Sequence, residues 1–244
     1  MSVVQTSAKP LEITVIYRCC EGDTKGAFRP KHFSKINCLN NFLDVFRFND
    51  RPKGISVNII PVHDGPIGRM YDAFEEYDIP VEKINVNSNA KSLETCLDVA
   101  SGLPVTDIIY FLEDDYLHTE NAVISLLDGF NVAEELNRSN IISLYHHPDR
   151  TSRTDDIDRG QTFILKGRTG YWRTAESTTC TWAVKQDTYL NDNIYQKALK
   201  YGLNDREFFR AMRPEGTILF NPILSASTHC HEPFMGDFID WANL

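Results

Sequence analysis

Short apolar runs alternate with helix-period apolar stripes along the first 145 residues. Residues 11–17 form an apolar run with β-branched side chains, the pattern of a strand buried on both faces. After a glycine-flanked loop at 22–26, Pro30 is expected to open a helix. Its Phe33, Ile36, Leu39, Leu43 and Phe46 fall at steps of three and four on one stripe. Residues 55–62 read as a second strand, followed by a weaker helix with Ile67, Met70, Tyr71 and Phe74 on one side. Residues 81–86 predict a third strand, and Asn89 stands where it can cap a helix burying Leu93, Cys96, Leu97 and Ala100. Residues 107–112 are the next strand, then a helix from Thr119 turns Val123, Leu126, Leu127 and Phe130 inward, and 140–145 are a fifth strand. Strands alternating with crossover helices predict an α/β fold, with helices on both faces of a mostly parallel sheet.

The pattern then changes. Residues 146–161 are polar and carry seven charges, too long for a simple connection and a candidate lid. Residues 162–166 and 171–173 flank Gly167-Arg168-Thr169-Gly170 like a hairpin. A strand at 178–184, helices at 187–200 and 204–212, and short strands near 217–220 and 224–229 complete the chain. At 244 residues a fold of this kind buries roughly 70% of its extended surface, so no disulfide or metal staple is required. One domain over residues 1–244 is the expectation.

Composition narrows the partners. The net charge is −9, from 34 acids and 25 bases, with no Lys or Arg run; tight nucleic-acid binding calls for a basic face, so nucleic acid is not the expected main partner, a local basic patch being the alternative. The apolar runs fall far short of the ~20 residues of a membrane helix, and residues 1–10 lack the apolar core of a signal peptide. Cys19, Cys20, Cys38, Cys96, Cys180 and Cys230 show no CxxC spacing and read as reduced thiols of a cytoplasmic protein.

The chemistry concentrates at strand ends. Residues 108–112 run straight into Glu113-Asp114-Asp115. Like charges about 4 Å apart repel by about 1 kcal/mol in water and about 4 kcal/mol at an effective dielectric of about 20, so three adjacent acids call for a cation. Strand alternation puts Glu113 and Asp115 on one side and Asp114 on the other. Hard oxygen donors at the carboxyl edge of an α/β sheet suit Mg²⁺ or Mn²⁺ bridging phosphates; a solvated acidic turn before a helix accounts for the same residues. Near the end of the chain, His229 and His231 flank Cys230 and share one face if extended. An imidazole completing a carboxylate site favours Mn²⁺ over Mg²⁺; zinc with Cys230, or a plain surface tail, are the alternatives. Arg18 ends the first strand and Asp64-Gly65 the second, where an Asp either accepts from a ribose or base or makes an ordinary turn. Asn204-Asp205-Arg206-Glu207 opens a helix, so Asp205 or Glu207 is either a general base or part of a cap. Trp172 and Trp182 are candidates for stacking on sugar rings, with core packing the alternative for Trp182.

In this order the elements resemble the GT-A-fold glycosyltransferases, particularly the family 2 type, over almost the whole chain. Phe111-Leu112-Glu113-Asp114-Asp115 is similar to an EDD version of their DxD motif. Asp64 resembles their uracil- or ribose-contacting acid. Residues 87–92, with Asn89 and Lys91, look like the donor-contacting helix start. Asn204-Asp205 with Phe208-Phe209-Arg210 resembles the "ED" motif carrying the base, and His229 or His231 matches the late metal-binding histidine. Glu113 stands where the family has its first Asp, and Asn204 where it has Glu.

The resemblance implies a Rossmann-like three-layer α/β/α sandwich whose residues 1–145 bind the nucleotide sugar and 146–244 the acceptor. It implies transfer from a nucleotide-diphosphate sugar, UDP-sugars first, to a carbohydrate, glycolipid or other hydroxyl, with inversion. Asp115, with His229 or His231, would hold Mn²⁺ or Mg²⁺; Arg18, Asp64, Asn89, Lys91, Glu113 and Asp114 would contact the donor, and Asp205, with Glu207 second, would be catalytic. A sugar nucleotidyltransferase and an inactive nucleotide-sugar-binding module are the rivals; residues 22–26 are a poor version of the loop the former needs.

Overall fold

The fold is known from a computed structural model that describes residues 9–23, 26–48, 52–136, 138–152 and 161–244. In chain order the first half is β1 (Leu11–Cys20), α1 (Lys35–Leu43), β2 (Ile55–Asp64), α2 (Arg69–Glu76), β3 (Glu82–Ile84), α3 (Asn89–Ser101) and β4 (Ile108–Glu113). Then come β5 (Tyr116–His118), α4 (Ala122–Glu134), β6 (Asn140–Ile142), a single turn α5 (Asp149–Ser152), β7 (Ile164–Lys166), β8 (Tyr171–Ala175) and β9 (Trp182–Lys185). The chain ends with α6 (Gln186–Asn191), α7 (Ile194–Tyr201), α8 (Asp205–Met212), β10 (Ile218–Pro222) and β11 (Ser227–His229).

Among the described residues nine strands form one sheet in the order β3-β2-β1-β4-β9-β6-β10-β8-β7. Only β8 and β9 run against the other seven. Alternation along the buried strands sorts side chains into two helical layers. Ile13, Val15, Tyr17, Tyr110 and Leu112 pack with Leu39, Phe42 and Phe46 of the α1 segment, Phe74 of α2 and Leu126 and Phe130 of α4. Ile16, Ile109 and Phe111 face the other way, against Leu93 and Leu97 of α3, Ile194 of α7 and Phe208 of α8. The expected three-layer α/β/α arrangement is therefore present.

The structure corrects several local expectations. Pro30 does not open α1; Ser34 does, its Oγ accepting from the Asn37 amide at 3.0 Å, and α1 runs on into a π-helical turn over Asp44–Phe48. Ser88 rather than Asn89 caps α3. Ile67 lies outside α2 and is exposed. The helix expected from Thr119 starts at Ala122, because Tyr116–His118 pairs as a strand, and 187–200 is two helices, not one. Trp172 is fully buried, with its Nε1 donating to Asp128 at 3.1 Å, so it is closed to a sugar. Its ring lies so near α4 that a Cβ on Gly129 would come within 2.7 Å of it. Of the candidate lid, residues 153–160 lie outside the described residues. Among the described residues no helix is long and apolar enough to cross a membrane, and all six cysteines are free thiols.

Candidate functional site

The sheet order reverses beside β1: β2 and β3 lie on one side, β4 on the other. Such a switch point opens a crevice outside the carboxyl ends of the two central strands. Arg18–Cys20 and Glu113–Asp115 meet there, because the register sets Arg18 opposite Glu113.

Strand alternation stops at Glu113, and Asp114 and Asp115 form a turn, so Glu113 and Asp115 do not share one side as alternation predicts. Each acid meets its own protein cation instead. Glu113 is ion-paired with Arg18, which also donates to the main-chain oxygen of Asn89 at 3.0 Å. Asp114 accepts from Lys35 Nζ at 2.8 Å and from the Cys20 amide at 2.9 Å. Burial and the neighbouring Asp115 charge push the Asp114 carboxyl up despite Lys35, yet the contact geometry is that of an ion pair. Asp115 Oδ2 lies 3.0 Å from both Arg29 Nη1 and His229 Nε2. Burial works against ionising Asp115, but the His229 hydrogen bond and the charges of His229 and Arg29 hold its carboxyl down at about 2.

A two-stranded sheet brings His229 across 114 positions of sequence to Asp115. β11 pairs antiparallel with β5, setting His229 opposite Tyr116, and the ladder continues with Cys230 donating to Asp115 O at 2.8 Å. Asn41 of α1 fixes β5 from the other side, bonding both the amide and the carbonyl of His118. The His229 ring stacks between Tyr116 at 5.3 Å and His231 at 5.9 Å. His231 is one step removed from the acids, its Nε2 accepting from the Phe28 amide at 3.4 Å.

Among the described residues no three His, Cys, Asp or Glu side chains converge into a complete cation site. Asp115 and His229 supply two donors, and Asp115 Oδ1 and His229 Nδ1 are buried without hydrogen-bond partners. Two protein donors, a carboxylate and an imidazole, fit a divalent ion that takes its other ligands from phosphate and water.

Asp205 opens α8. Its Oδ2 accepts from the amides of Thr178 at 2.6 Å and Thr179 at 2.8 Å and from Ser177 Oγ at 3.0 Å; Oδ1 receives only a long 3.3 Å contact from Ser177. The Tyr116 hydroxyl reaches Thr179 O at 3.0 Å, so the residue after Asp115 braces the loop that holds Asp205. A small cleft lined by Asp205, Trp182, Leu93 and Cys180 adjoins a second one lined by Leu93, Cys180, Arg18 and Glu113.

The remaining predicted residues are spread out. Asp64 sits at the same sheet edge, one Oδ accepting from the Val86 and Asn87 amides. The Lys91 amide meets the Ser88 cap and its side chain is exposed. Glu207 pairs with Arg210 at 3.0 Å, away from Asp205's partners. Trp182 is buried against Phe111, ring centroids 4.3 Å apart. Sequence reading missed Arg29, Lys35, Tyr116 and the Thr178-Thr179 loop. Arg29 and Lys35 flank the start of α1, where only the demand of three acids for counter-charge pointed to them.

His118, beneath this site, yields a stability prediction. Burial pushes its imidazole down to about 3, and that of His146 down to about 4, where Arg150 and Arg173 add to the effect. An unfolded imidazole titrates near about 6.5, so below that pH the unfolded chain binds more protons. Stability is therefore expected to fall as pH drops from about 6.5 toward the folded values, by up to about 1.4 kcal/mol per pH unit for each group. Urea midpoints at pH 7, 6, 5 and 4 check this, with His118→Gln removing its share of the slope. A flat profile between pH 7 and 5 would show that neither imidazole is held neutral.

No protein-family model and no curated protein matches the chain. Among solved structures, S. aureus TarS 1–349 is similar with a TM-score of 0.50 at 12% identity, over 87% of this chain and 60% of that one. The same TarS segment in complex with UDP-GlcNAc gives 0.49 at 12% identity, over 86% and 58%. The 4-diphosphocytidyl-2C-methyl-D-erythritol synthase from Anaerococcus prevotii DSM 20548 gives 0.47 at 14% identity, over 86% and 87%. The chain thus spans about 60% of TarS 1–349. At 12% identity the likeness to TarS 1–349 speaks to architecture alone: a Rossmann-like α/β/α sandwich of the GT-A kind, around a mostly parallel sheet.

Proposed function

We propose that the chain is an inverting, metal-dependent glycosyltransferase that uses a nucleotide-diphosphate sugar, UDP-sugars being the first to test, and a hydroxyl acceptor. One observation carries the reading. At the carboxyl edge of the sheet the Asp115–His229 pair directly follows β4, and the Asp205 carboxylate lines a cleft that adjoins the one lined by Arg18 and Glu113. Acid-and-imidazole chemistry for a diphosphate and a separate base for an acceptor are the two things glycosyl transfer requires.

A divalent cation, Mn²⁺ or Mg²⁺, held by Asp115 and His229, would supply positive charge to the diphosphate. Arg18, fixed by Glu113 and Asn89, lies at the crevice floor to orient the donor, and Asp64 keeps one carboxylate oxygen for a ribose or base hydroxyl. Asp205 Oδ1 takes the proton of the acceptor hydroxyl as its oxygen attacks the anomeric carbon. The bond from that carbon to the diphosphate oxygen breaks, and the nucleoside diphosphate leaves with the electron pair. The half beyond residue 145 supplies the acceptor side through Asp205 and its Ser177–Thr179 cradle.

The test is a product assay on the full chain with UDP- and GDP-sugars and Mn²⁺, with and without hydroxyl acceptors. Slow release of UDP or GDP, accelerated by an acceptor, is expected. Pyrophosphate release from a nucleoside triphosphate and a sugar phosphate would replace this reading with nucleotidyl transfer, and donor binding without turnover would replace it with a binding module.

A further inference from the structure

Arg29 is held tightly for a loop residue. Its Nε and Nη2 reach Asp23 at 3.1 and 2.6 Å, Nη1 reaches Asp115 Oδ2 at 3.0 Å and Cys230 O at 2.7 Å, and the guanidinium lies 4.3 Å from the Phe33 ring centre. Nη1 and His229 Nε2 converge on the same oxygen, Asp115 Oδ2. A cation that takes Asp115 Oδ2 and His229 Nε2 replaces the hydrogen bond between them and lies beside the Arg29 Nη1 that shares that oxygen. Like charges that close in a partly buried site repel strongly, so Arg29 and a divalent ion are rivals for Asp115. The orphaned Asp115 Oδ1 and His229 Nδ1 leave this carboxylate and ring with unused capacity for a second ligation state.

We infer that Arg29 is the resident counter-ion of the cation site: it neutralises Asp115 in the substrate-free chain, yields the carboxylate to an incoming divalent cation, and turns its fork to the diphosphate. The inference rests on the glycosyltransferase reading and adds to it a positioning residue and a binding order. A cation alone binds poorly because it must displace Arg29. The cation together with a nucleoside diphosphate binds well because the displaced guanidinium finds a planar, bidentate phosphate partner.

The test measures binding rather than turnover. Mn²⁺ alone is titrated into the full chain and followed by the electron paramagnetic resonance of free Mn²⁺; UDP is then titrated by calorimetry at saturating Mn²⁺. Arg29→Gln is expected to bind Mn²⁺ alone about tenfold more tightly than wild type, since it removes the competing charge, and UDP about tenfold more weakly, since it removes a charged phosphate donor. Arg29→Lys keeps the competing charge and should stay near wild type for Mn²⁺, a rescue that a merely structural role does not predict. Arg29→Met, which keeps the stem on Phe33, replaces the Gln variant if circular dichroism shows the latter unfolded. Mn²⁺ affinity in the folded, charge-free variant no higher than wild type, or unchanged UDP affinity, overturns this inference alone. Mn²⁺ and UDP binding that Asp115→Asn leaves intact overturns the cation reading, and this inference with it.

Discussion

Replacing Asp205 by asparagine is expected to lower glycosyl transfer by about 10²–10⁴-fold, the usual contribution of a positioned general base, while donor affinity stays near wild type. The asparagine carbonyl can still accept from the Thr178 and Thr179 amides that now hold Asp205 Oδ2, so the loop keeps its shape. The exchanged atom is the less occupied one, Oδ1, which becomes an amide unable to take a proton. α8 loses only a carboxylate at its N-terminus, worth about 0.3–1 kcal/mol. Alanine is the poorer probe, because unpaired amides under the loop would cost about 1–3 kcal/mol each. Single-turnover kinetics with a saturating donor separate the two effects, and the wild-type product should be β-linked from an α-linked donor. Near-normal turnover by Asp205→Asn, or retention of configuration, would reduce Asp205 to the helix-opening acid that its sequence context equally allows.

The central sheet was legible because its strands are buried on both faces. Ile13, Val15, Ile16, Ile109, Tyr110 and Phe111 are almost fully enclosed, and such runs announce themselves without any partner. The edges were not. β3 spans only Glu82–Ile84 and β7 only Ile164–Lys166, because each finds main-chain partners on one side alone and side-chain pattern says nothing of that. The start of α2 was hidden for another reason. Its cap is Gly68 without a side chain, and Glu21 from the end of β1 supplies the missing acceptor to the Met70 and Tyr71 amides.

The site divides in the same way. The acids of residues 113–115 stood out because a charged triplet after an apolar strand is costly, and the structure meets that cost with Arg18, Lys35 and Arg29. That three separate cations would do so was not legible, since the turn at Asp114 ends the alternation on which a shared site depended. The approach of His229 to Asp115 follows from the three-residue pairing of β5 with β11. No local pattern encodes that pairing; only the acid-and-imidazole chemistry connected the two ends. Trp172 shows the opposite failure. An aromatic beside a Gly-rich turn looks available to a ligand, but it is buried in the helical layer around Gly129.

Asp115 carries the other large expected effect, on binding rather than turnover. Its carboxyl is held at about 2, so it is ionised throughout the neutral range. Because the folded value lies below the unfolded one of about 4, the stability it contributes is complete above that pH and is lost as pH falls through about 2. Asp115→Ala removes the acceptor on which Arg29 and His229 converge, and breaking a buried pair in this way costs about 3–5 kcal/mol. Asp115→Asn, close in shape, is therefore the variant for binding, with Ala as the stability control. With UDP as the probe, wild type should bind at least about 10–100-fold more tightly with Mn²⁺ than without, a range set by what even an outer-shell partner of a metal typically contributes. In Asp115→Asn the Mn²⁺ dependence should vanish, leaving affinity near the metal-free wild-type value. Donor-hydrolysis rates should fall in parallel, since the same ligand serves the leaving diphosphate. Equal, metal-independent affinity in both proteins would remove the cation from this crevice and leave Arg18, Lys35 and Arg29, the partners of its three acids, to meet the diphosphate charge.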